Sequence, residues 1–214
     1  MFALLVVSVM GFVYPDPPAV SPWEKEIAGI EKRLKEKPPA KQGVLFAGSS
    51  SIRLWNLEKS FPGAGYINVG FGGSEVRDTT QFADRIILPF EPRTIVFYAG
   101  DNDIAKGRTP EQVRDDFAAL VKTIRGKLPK VKIIFLPVKP SPKRWALYDK
   151  QVVANRLVKQ FCEAGEGLTY VDIVTPMLGA DGKPRPELFV KDELHMSDAG
   201  YAIWTSKLVE LLKP

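Results

Sequence analysis

The residue types best suited to catalysis lie near opposite ends of the 214-residue sequence, which has a single histidine, His195. Histidine has an ordinary pKa of about 6.5 and can accept and return a proton at neutral pH. Asp192, three residues earlier, can bind one ring nitrogen and leave the other free as a base. A serine hydroxyl needs such a base to become a nucleophile. Three adjacent serines, Ser49, Ser50 and Ser51, are candidates, and residue type alone does not choose among them.

Two further sets of residues could stabilise negative charge. The glycine-rich segment Asn68–Gly73 (NVGFGG) can bring backbone N–H groups close to a ligand, and Asn102 offers a neutral amide. Together, the N–H of Gly73 and the amide of Asn102 could bind the oxyanion of an acyl-transfer reaction. Each set also has a non-catalytic interpretation: the serines as helix caps, the glycines as turn residues, and Asn102 as part of an Asx turn between two aspartates. Their joint placement favours catalysis.

The pattern of apolar runs predicts how the fold positions these residues. Five runs end at glycine or polar residues and alternate with amphipathic segments, which predicts a parallel sheet covered on both faces by helices. Ligands bind such sheets beyond the carboxyl ends of the strands, where the serines, the glycine-rich segment and Asn102 all fall. The predicted strands are Val44–Ala47, Tyr66–Val69, Thr94–Tyr98, Val131–Val138 and Leu168–Ile173.

Helix signals fill the intervals between the predicted strands. Ser21-Pro22-Trp23-Glu24 predicts a capping box at the start of the first helix, and Thr109-Pro110-Glu111-Gln112 predicts another. The apolar stripe of this second helix comprises Val113, Phe117, Leu120, Val121 and Ile124. The later stripes comprise Trp145, Tyr148, Val152, Leu157 and Phe161, and then Tyr201, Trp204, Leu208 and Leu211.

Residues 1–20 differ in character from the rest of the chain. Phe2–Val13 is almost wholly apolar, is too short to span a bilayer as a helix, and resembles the hydrophobic region of a secretory signal. It lacks a basic leader and a clear cleavage site, so a misassigned start or a retained segment are alternatives. We expect a single domain over residues 21–214, export to the periplasm or medium with a cytoplasmic location as the alternative, and membrane contact through residues 1–20 alone.

Composition excludes several classes of protein. The chain has 30 Lys and Arg against 25 Asp and Glu, but the basic residues are dispersed and lack interleaved aromatics, so we expect no nucleic-acid binding. One cysteine and one histidine exclude an intramolecular disulfide and the ordinary Cys/His zinc cages. The residues around Ser50 lack the lysine of a phosphate-binding loop and the G-x-S-x-G of an α/β-hydrolase. Gly70–Gly73 departs from the dinucleotide-binding pattern.

Four sequence blocks resemble those of the SGNH, or GDSL-like, hydrolases, closest to the platelet-activating-factor acetylhydrolase-like branch. The resemblance implies that Ser50 is the nucleophile, His195 the base and Asp192 its orienting acid. It also implies that the N–H groups of Ser50 and Gly73 and the side chain of Asn102 are the oxyanion donors. The blocks are Gly48-Ser49-Ser50, Asn68–Gly73, Gly100-Asp101-Asn102 and Asp192–His195, within a region from Val44 to Trp204.

The resemblance further implies a flavodoxin-like three-layer α/β/α sandwich, with a five-stranded parallel sheet in the order 2-1-3-4-5. It implies hydrolysis of esters or thioesters without a cofactor or metal. We expect small acyl esters, acetyl or short-chain, as substrates. Alternatives are a carbohydrate O-acetyl esterase, a thioesterase or lysophospholipase, or a catalytically silent binding protein. Ser49 replaces the aspartate usual before the nucleophile, and we expect activity to survive.

Three other features have a structural and a functional interpretation. The segment Lys139–Trp145 follows the fourth predicted strand and is interpreted mainly as a stiff, proline-rich loop, although it could border the substrate pocket. Arg53 could touch substrate, whereas Trp55 and Cys162 are predicted to pack in the core. The oligomeric state has no signal in the sequence.

Overall fold

The computed structural model describes residues 21–213 and contains one sheet of five parallel strands in the order β2-β1-β3-β4-β5. This confirms the predicted sheet. Its strands are shorter than the apolar runs in three cases, because the chain leaves the sheet where its backbone finds other partners. After β4, for example, the backbone of Val138 pairs with the side chain of Asn155. The strands are β1 Val44–Gly48, β2 Ile67–Asn68, β3 Thr94–Tyr98, β4 Lys132–Phe135 and β5 Leu168–Tyr170.

Helices cover both faces of the sheet. Successive side chains of a strand point to opposite faces, and on β3 Ile95 and Phe97 enter one hydrophobic cluster while Val96 and Tyr98 enter the other. Both faces are therefore dry, which explains the unbroken apolar strands and confirms the three-layer sandwich. The helices are α1 Glu24–Glu36, α2 Ser50–Arg53, α3 Leu57–Ser60, α4 Val76–Ile86, α5 Asp101–Ala105, α6 Pro110–Arg125, α7 Tyr148–Ala164 and α8 Asp198–Leu208.

The two predicted capping boxes have different outcomes. Thr109 accepts from the N–H of Gln112, whose side chain accepts in return, and the predicted stripe of α6 is buried. The box at Ser21 is wrong. Helix α1 begins at Glu24 after a turn, and the Glu24 carboxylate binds Arg85 at 2.8 Å instead of the cap backbone. The charge-assisted hydrogen bonds to Arg85 are stronger than a bond to the cap backbone, so the Glu24 side chain is not available for a capping box.

The predicted apolar stripe of α7 is also wrong. Val152 is exposed, Leu157 and Phe161 are half-buried, and Trp145 lies before the helix in the 3₁₀ segment Pro142–Leu147. The buried residues of α7 are Gln151, Ala154, Asn155, Val158 and Cys162.

Two polar side chains explain this rotation of α7. Asn155 makes two hydrogen bonds with the backbone of Val138, and Gln151 reaches Asp101. At the end of the chain, α8 stops at Leu208 and the following turn buries Leu212 rather than the predicted Leu211.

Residues 1–20 lie outside the described part of the chain, so the predictions for that segment remain predictions. Within residues 21–213, no helix is both long and apolar enough to cross a membrane.

Candidate active site

Ser50 and His195 meet at the carboxyl edge of the sheet. Ser49 ends the pairing of β1 by donating its N–H to Tyr98, and Ser50 is the first residue of α2. The Oγ of Ser50 lies 3.0 Å from Nε2 of His195, and Nδ1 of His195 lies 2.6 Å from Oδ2 of Asp192. Ser49 and Ser51 are buried, at 2% exposure each. Among the three serines, Ser50 is the one that the structure places against the imidazole.

Asp192 organises the turn that carries the imidazole. Its Oδ1 accepts hydrogen bonds from the backbone N–H groups of Leu194 and His195, both at 2.9 Å, while its Oδ2 binds the ring. Partial burial raises the pKa of Asp192, but these hydrogen bonds outweigh it and lower the pKa to about 2. The carboxylate therefore stays ionised. Glu193 adopts a φ of 59°, a left-handed conformation that costs a non-glycine residue energy and tightens the turn.

Two glycines allow the chain to pass close to its neighbours near Ser50. A Cβ on Gly48 would lie 1.9 Å from the carbonyl oxygen of Tyr98, and one on Gly70 would lie 2.4 Å from the backbone nitrogen of Arg53. A side chain at Gly48 would push β3 away from β1, and one at Gly70 would push the Asn68–Gly73 segment away from α2. These glycines therefore set the width of the site.

Gly73 lies in a left-handed turn, with a φ of 71°, and its N–H has no acceptor among the described residues. Both backbone polar groups of the preceding residue, Gly72, are held by side chains: Trp23 donates its indole N–H to the carbonyl oxygen at 2.8 Å, and Glu26 accepts from the N–H at 3.0 Å. The backbone N–H of Ser50, at the first position of α2, is likewise without an acceptor in the described residues.

Asn102 stands at the start of α5, directly after β3, and both ends of its amide are held. Its Nδ2 donates to the carbonyl oxygen of Ser74 at 2.9 Å, and its Oδ1 accepts from Arg144 at 3.0 Å. A primary amide has two N–H groups, so one remains available to a ligand. The structure thus brings together Ser50, Asp192 and His195, and in residues 21–213 it leaves the N–H of Gly73 and one of the two N–H groups of Asn102 without an acceptor.

A buried ionic cluster beneath Asn102 was not predicted from the sequence. Asp101 is buried and pairs with Lys139 at 3.0 Å and with Arg144 at 2.7 Å. Burial raises the pKa of Asp101, but the two cations outweigh it and hold the pKa below its usual range. Lys139 and Arg144 both belong to the Lys139–Trp145 loop. The position of this loop directly after a strand was the sequence signal that could have placed it at the site. No sequence signal predicted that Trp23 and Glu26 would contact Gly72.

Arg53 and Cys162 complete the set of sequence candidates. Arg53 faces the carboxylate of Glu26 at 3.5 Å. Cys162 on α7 and Trp55 just after α2 are both buried. The core predictions for Trp55 and Cys162 are confirmed. Burial raises the pKa of Cys162 to about 12, so this thiol remains protonated. The part of the chain that the structure describes holds no group of three or more His, Cys, Asp or Glu side chains placed to bind a metal ion.

A flavodoxin-like sandwich with a serine, an imidazole and a carboxylate in series at its carboxyl edge defines a class of serine ester hydrolases. The family model of the GDSL-like lipases and acylhydrolases matches residues 49–203. The chain belongs to this family and is an esterase.

Solved structures share the fold at low sequence identity. A Streptococcus pneumoniae protein provisionally described as a platelet activating factor superposes with a TM-score of 0.79 at 20% identity, covering 88% of this chain and 92% of its own. A GDSL-like lipase from Bacteroides thetaiotaomicron gives 0.70 at 21%, covering 89% and 95%. An acetyl-xylooligosaccharide esterase from Geobacillus stearothermophilus gives 0.66 at 18%, covering 82% and 96%. A comparison with curated protein sequences gave no match.

Proposed function

We propose that this protein hydrolyses small acyl esters, acetyl or short-chain, with Ser50 as nucleophile, His195 as base and Asp192 as the acid that orients it. The observation that carries the proposal is the unbroken contact series from Ser50 Oγ through the His195 ring to Asp192, at 3.0 and 2.6 Å. A serine hydroxyl in that position can lose its proton to Nε2 as it attacks a carbonyl carbon.

The acylation half-reaction uses both sides of the site. The Oγ of Ser50 bonds to the acyl carbon, its proton passes to Nε2 of His195, and the carbonyl electron pair moves onto oxygen. The N–H groups of Ser50 and Gly73 and the amide of Asn102 donate to that oxyanion. When the tetrahedral intermediate collapses, the bond to the alcohol oxygen breaks. His195 then gives its proton to the departing alcohol.

Deacylation repeats the sequence with water. His195 takes a proton from water, the hydroxide oxygen bonds to the acyl carbon, and the same donors hold the oxyanion. Collapse breaks the bond to Ser50, returns the proton from His195 to Oγ and releases the carboxylic acid. Asp192, ionised and hydrogen-bonded to Nδ1, favours the imidazolium that forms in each half-reaction.

The decisive test is Ser50→Ala assayed with a chromogenic acetyl ester. Removing the nucleophile is expected to lower kcat by about a millionfold, to the background that the remaining site supplies. Ser51→Ala is the matched control, because Ser51 is adjacent and buried but makes no contact with His195. We expect Ser51→Ala to stay within about threefold of wild type. Full activity in Ser50→Ala would exclude this mechanism.

Asn102→Ala tests the oxyanion site separately. Loss of one preorganised donor is expected to lower kcat by about 100- to 1000-fold while KM changes little, because the donor acts on charge that develops in the transition state. Steady-state kinetics on the same ester measure both constants. A rise in KM at constant kcat would instead assign Asn102 to ground-state binding.

A further inference from the structure

A groove of about 620 Å³ adjoins the imidazole side of the site, and His195 and Asp192 form part of its wall. Its rim carries Leu54 and Val190, exposed at 48% and 45%. These are two of the five exposed large apolar side chains in residues 21–213, and both border one groove. Because they flank one groove next to the reactive pair, these two side chains give that groove an apolar border suited to an apolar ligand.

The backbone explains why both aliphatic residues flank the reactive pair. The N–H of Leu54 binds the carbonyl oxygen of Ser50 at 2.9 Å, so Leu54, the residue after α2, lies one helical turn from Ser50. The N–H of Val190 binds the carbonyl oxygen of His195 at 2.9 Å, which places these residues opposite one another. Leu54 therefore lies beside the proposed nucleophile, and Val190 lies beside the proposed base.

Resting on the function proposed above, we infer that this groove binds the alcohol part of the ester and selects neutral aliphatic alcohols. The leaving oxygen takes its proton from Nε2 of His195, so the alcohol must lie on the imidazole side, whereas the carbonyl oxygen faces Gly73 and Asn102. The residues that line the groove include the ionised carboxylate of Asp192 and no lysine or arginine, while the carboxylate of Asp198 is paired with Lys59 at 2.7 Å. Such a wall disfavours an alcohol that carries phosphate.

A series of acetate esters with one acyl group and different alcohols tests this inference. We expect kcat/KM to rise from methyl through butyl to hexyl acetate, by up to about fourfold for each methylene that becomes fully buried. Acetylated xylose and glycerol phosphate acetate provide the sugar and anionic arms, and both are expected to be poorer substrates than hexyl acetate. In Leu54→Ser and Val190→Ser, kcat/KM for hexyl acetate divided by kcat/KM for methyl acetate should fall at least threefold.

Leu211→Ser and Val209→Ser are matched controls, because these side chains are similarly exposed at 48% and 42% and do not line the groove. Both should keep the wild-type ratio. An unchanged ratio in Leu54→Ser and Val190→Ser, or a preference for the sugar or anionic ester, would contradict the proposed role of the groove and leave the proposed ester hydrolysis intact. Absence of any hydrolysis dependent on Ser50 would contradict the proposed function itself.

A separate observation concerns Arg144, which sits between the buried ionic cluster and the proposed oxyanion site. Its guanidinium binds Asn102 Oδ1 at 3.0 Å through one nitrogen and Asp101 Oδ1 at 2.7 Å through another, and the side chain is 18% exposed. Because Arg144 holds the oxygen end of the amide and Ser74 accepts from the nitrogen end, the amide of Asn102 cannot flip without breaking both contacts.

We propose that Arg144 is a positioning residue that aims the free N–H of Asn102 at the oxyanion. The same loop also reaches the imidazole turn, since the N–H of Lys143 donates to the carbonyl oxygen of Glu193 at 3.1 Å. Arg144→Met is expected to lower kcat by about 10- to 100-fold with little change in KM. Arg144→Lys, which keeps the charge but loses the fork, should be intermediate.

A double-mutant cycle separates positioning from general structural support. In an Asn102→Ala background, Arg144→Met should lower kcat less than twofold further, because there is no amide left to aim. Arg108→Met is the control: Arg108 is 19% exposed, pairs with Asp116 and is not in contact with Asn102. It should lose stability without the loss in kcat. Additive effects of Arg144 and Asn102, or a rise in KM alone, would overturn the positioning role.

Discussion

Asp192 performs two tasks with its two oxygens, and this explains the three-residue spacing to His195. One oxygen closes the turn by accepting two backbone N–H groups, and the other binds the ring. A pKa of about 2 keeps both oxygens as hydrogen-bond acceptors at neutral pH. The carboxylate thus links the local backbone conformation to the orientation of the imidazole.

Asp192→Asn should separate these two tasks. The asparagine oxygen can still accept from the backbone, so the fold should persist, but the ring would lose its anionic partner and its preferred tautomer. We expect kcat to fall by about 1000- to 10,000-fold, as in other serine hydrolases. Circular dichroism and steady-state kinetics measure fold and rate side by side. A loss of less than tenfold would show that the carboxylate is not needed.

Asp103 predicts a pH dependence of stability rather than of catalysis. It is fully buried and accepts from the N–H of Val76 at the start of α4. Burial raises the pKa of Asp103 to about 7, against about 3.9 in an unfolded chain. The folded state therefore holds an extra proton between about pH 4 and pH 7. The contribution of Asp103 to the free energy of unfolding therefore falls as the pH rises from about 4 to about 7.

Asp103→Asn should remove this penalty, because the amide oxygen still accepts from Val76 and carries no charge. The free energy of unfolding of the variant minus that of wild type should increase by about 2–4 kcal/mol from pH 5 to pH 8. Urea unfolding at the two pH values measures the difference. Parallel pH profiles of the two proteins would contradict the raised pKa.

The sequence was sufficient for residues whose partners are local or form a recurring pattern, and insufficient for residues with distant partners. Ser50, Asn102 and His195 could be placed, although Ser50 and His195 are 145 positions apart, because each lies in a short block that resembles one of the GDSL-like hydrolases. Arg144 contacts Asn102 across 42 positions and Trp23 contacts Gly72 across 49. No periodicity encodes such a contact, because it depends on how two loops meet after the sheet has formed.

At the scale of elements, helix α1 supports the glycine-rich turn from outside the sheet. Peptide planarity makes the carbonyl oxygen of Gly72 and the N–H of Gly73 point in opposite directions. When Trp23 holds that oxygen at 2.8 Å, it also fixes the direction of the Gly73 N–H. Glu26 and Lys106 bind the flanking backbone groups at 3.0 and 3.2 Å. Trp23, which precedes α1, and Glu26 within it thus help to orient the N–H of Gly73, a proposed oxyanion donor.

Trp23→Phe tests this role while preserving most of the apolar contact. Loss of the indole donor should cost about 1 kcal/mol of stability and lower kcat about three- to tenfold with KM nearly constant. Ser60→Ala is the control, because Ser60 accepts from the indole N–H of Trp55 at 2.8 Å, away from the turn. It should lose similar stability and keep its kcat. Equal kinetic losses in both variants would contradict the directional argument.

Helix α7 shows why an element can be predicted while its buried face is not. Its existence and approximate extent follow from the apolar content, but its rotation is set by Asn155 and Gln151, which satisfy backbone and carboxylate groups beside the site. A buried polar group without a partner costs about 1–3 kcal/mol. Satisfying both backbone groups of Val138 therefore outweighs the burial of Val152.

At the scale of the molecule, the candidate active site depends on contacts between segments that are far apart in the sequence. Ser50 and His195 are separated by 145 positions, and the sheet face that α8 covers brings them together. Trp204 of α8 is fully buried and packs on Trp55 and Tyr98, with ring centroids 5.5 and 4.8 Å apart. These contacts fix the imidazole turn relative to α2.

Trp204→Ala should therefore reduce stability and activity through the same event. Removing a buried tryptophan is expected to cost about 3–5 kcal/mol in the free energy of unfolding. Leu211→Ala, at an exposed apolar site, should stay within about 0.5 kcal/mol of wild type. Urea titrations followed by circular dichroism and by ester hydrolysis should give one midpoint for Trp204→Ala, shifted down in both. If hydrolysis were lost well before the helical signal, the imidazole turn would be detaching locally, and α8 would not be holding it through the core.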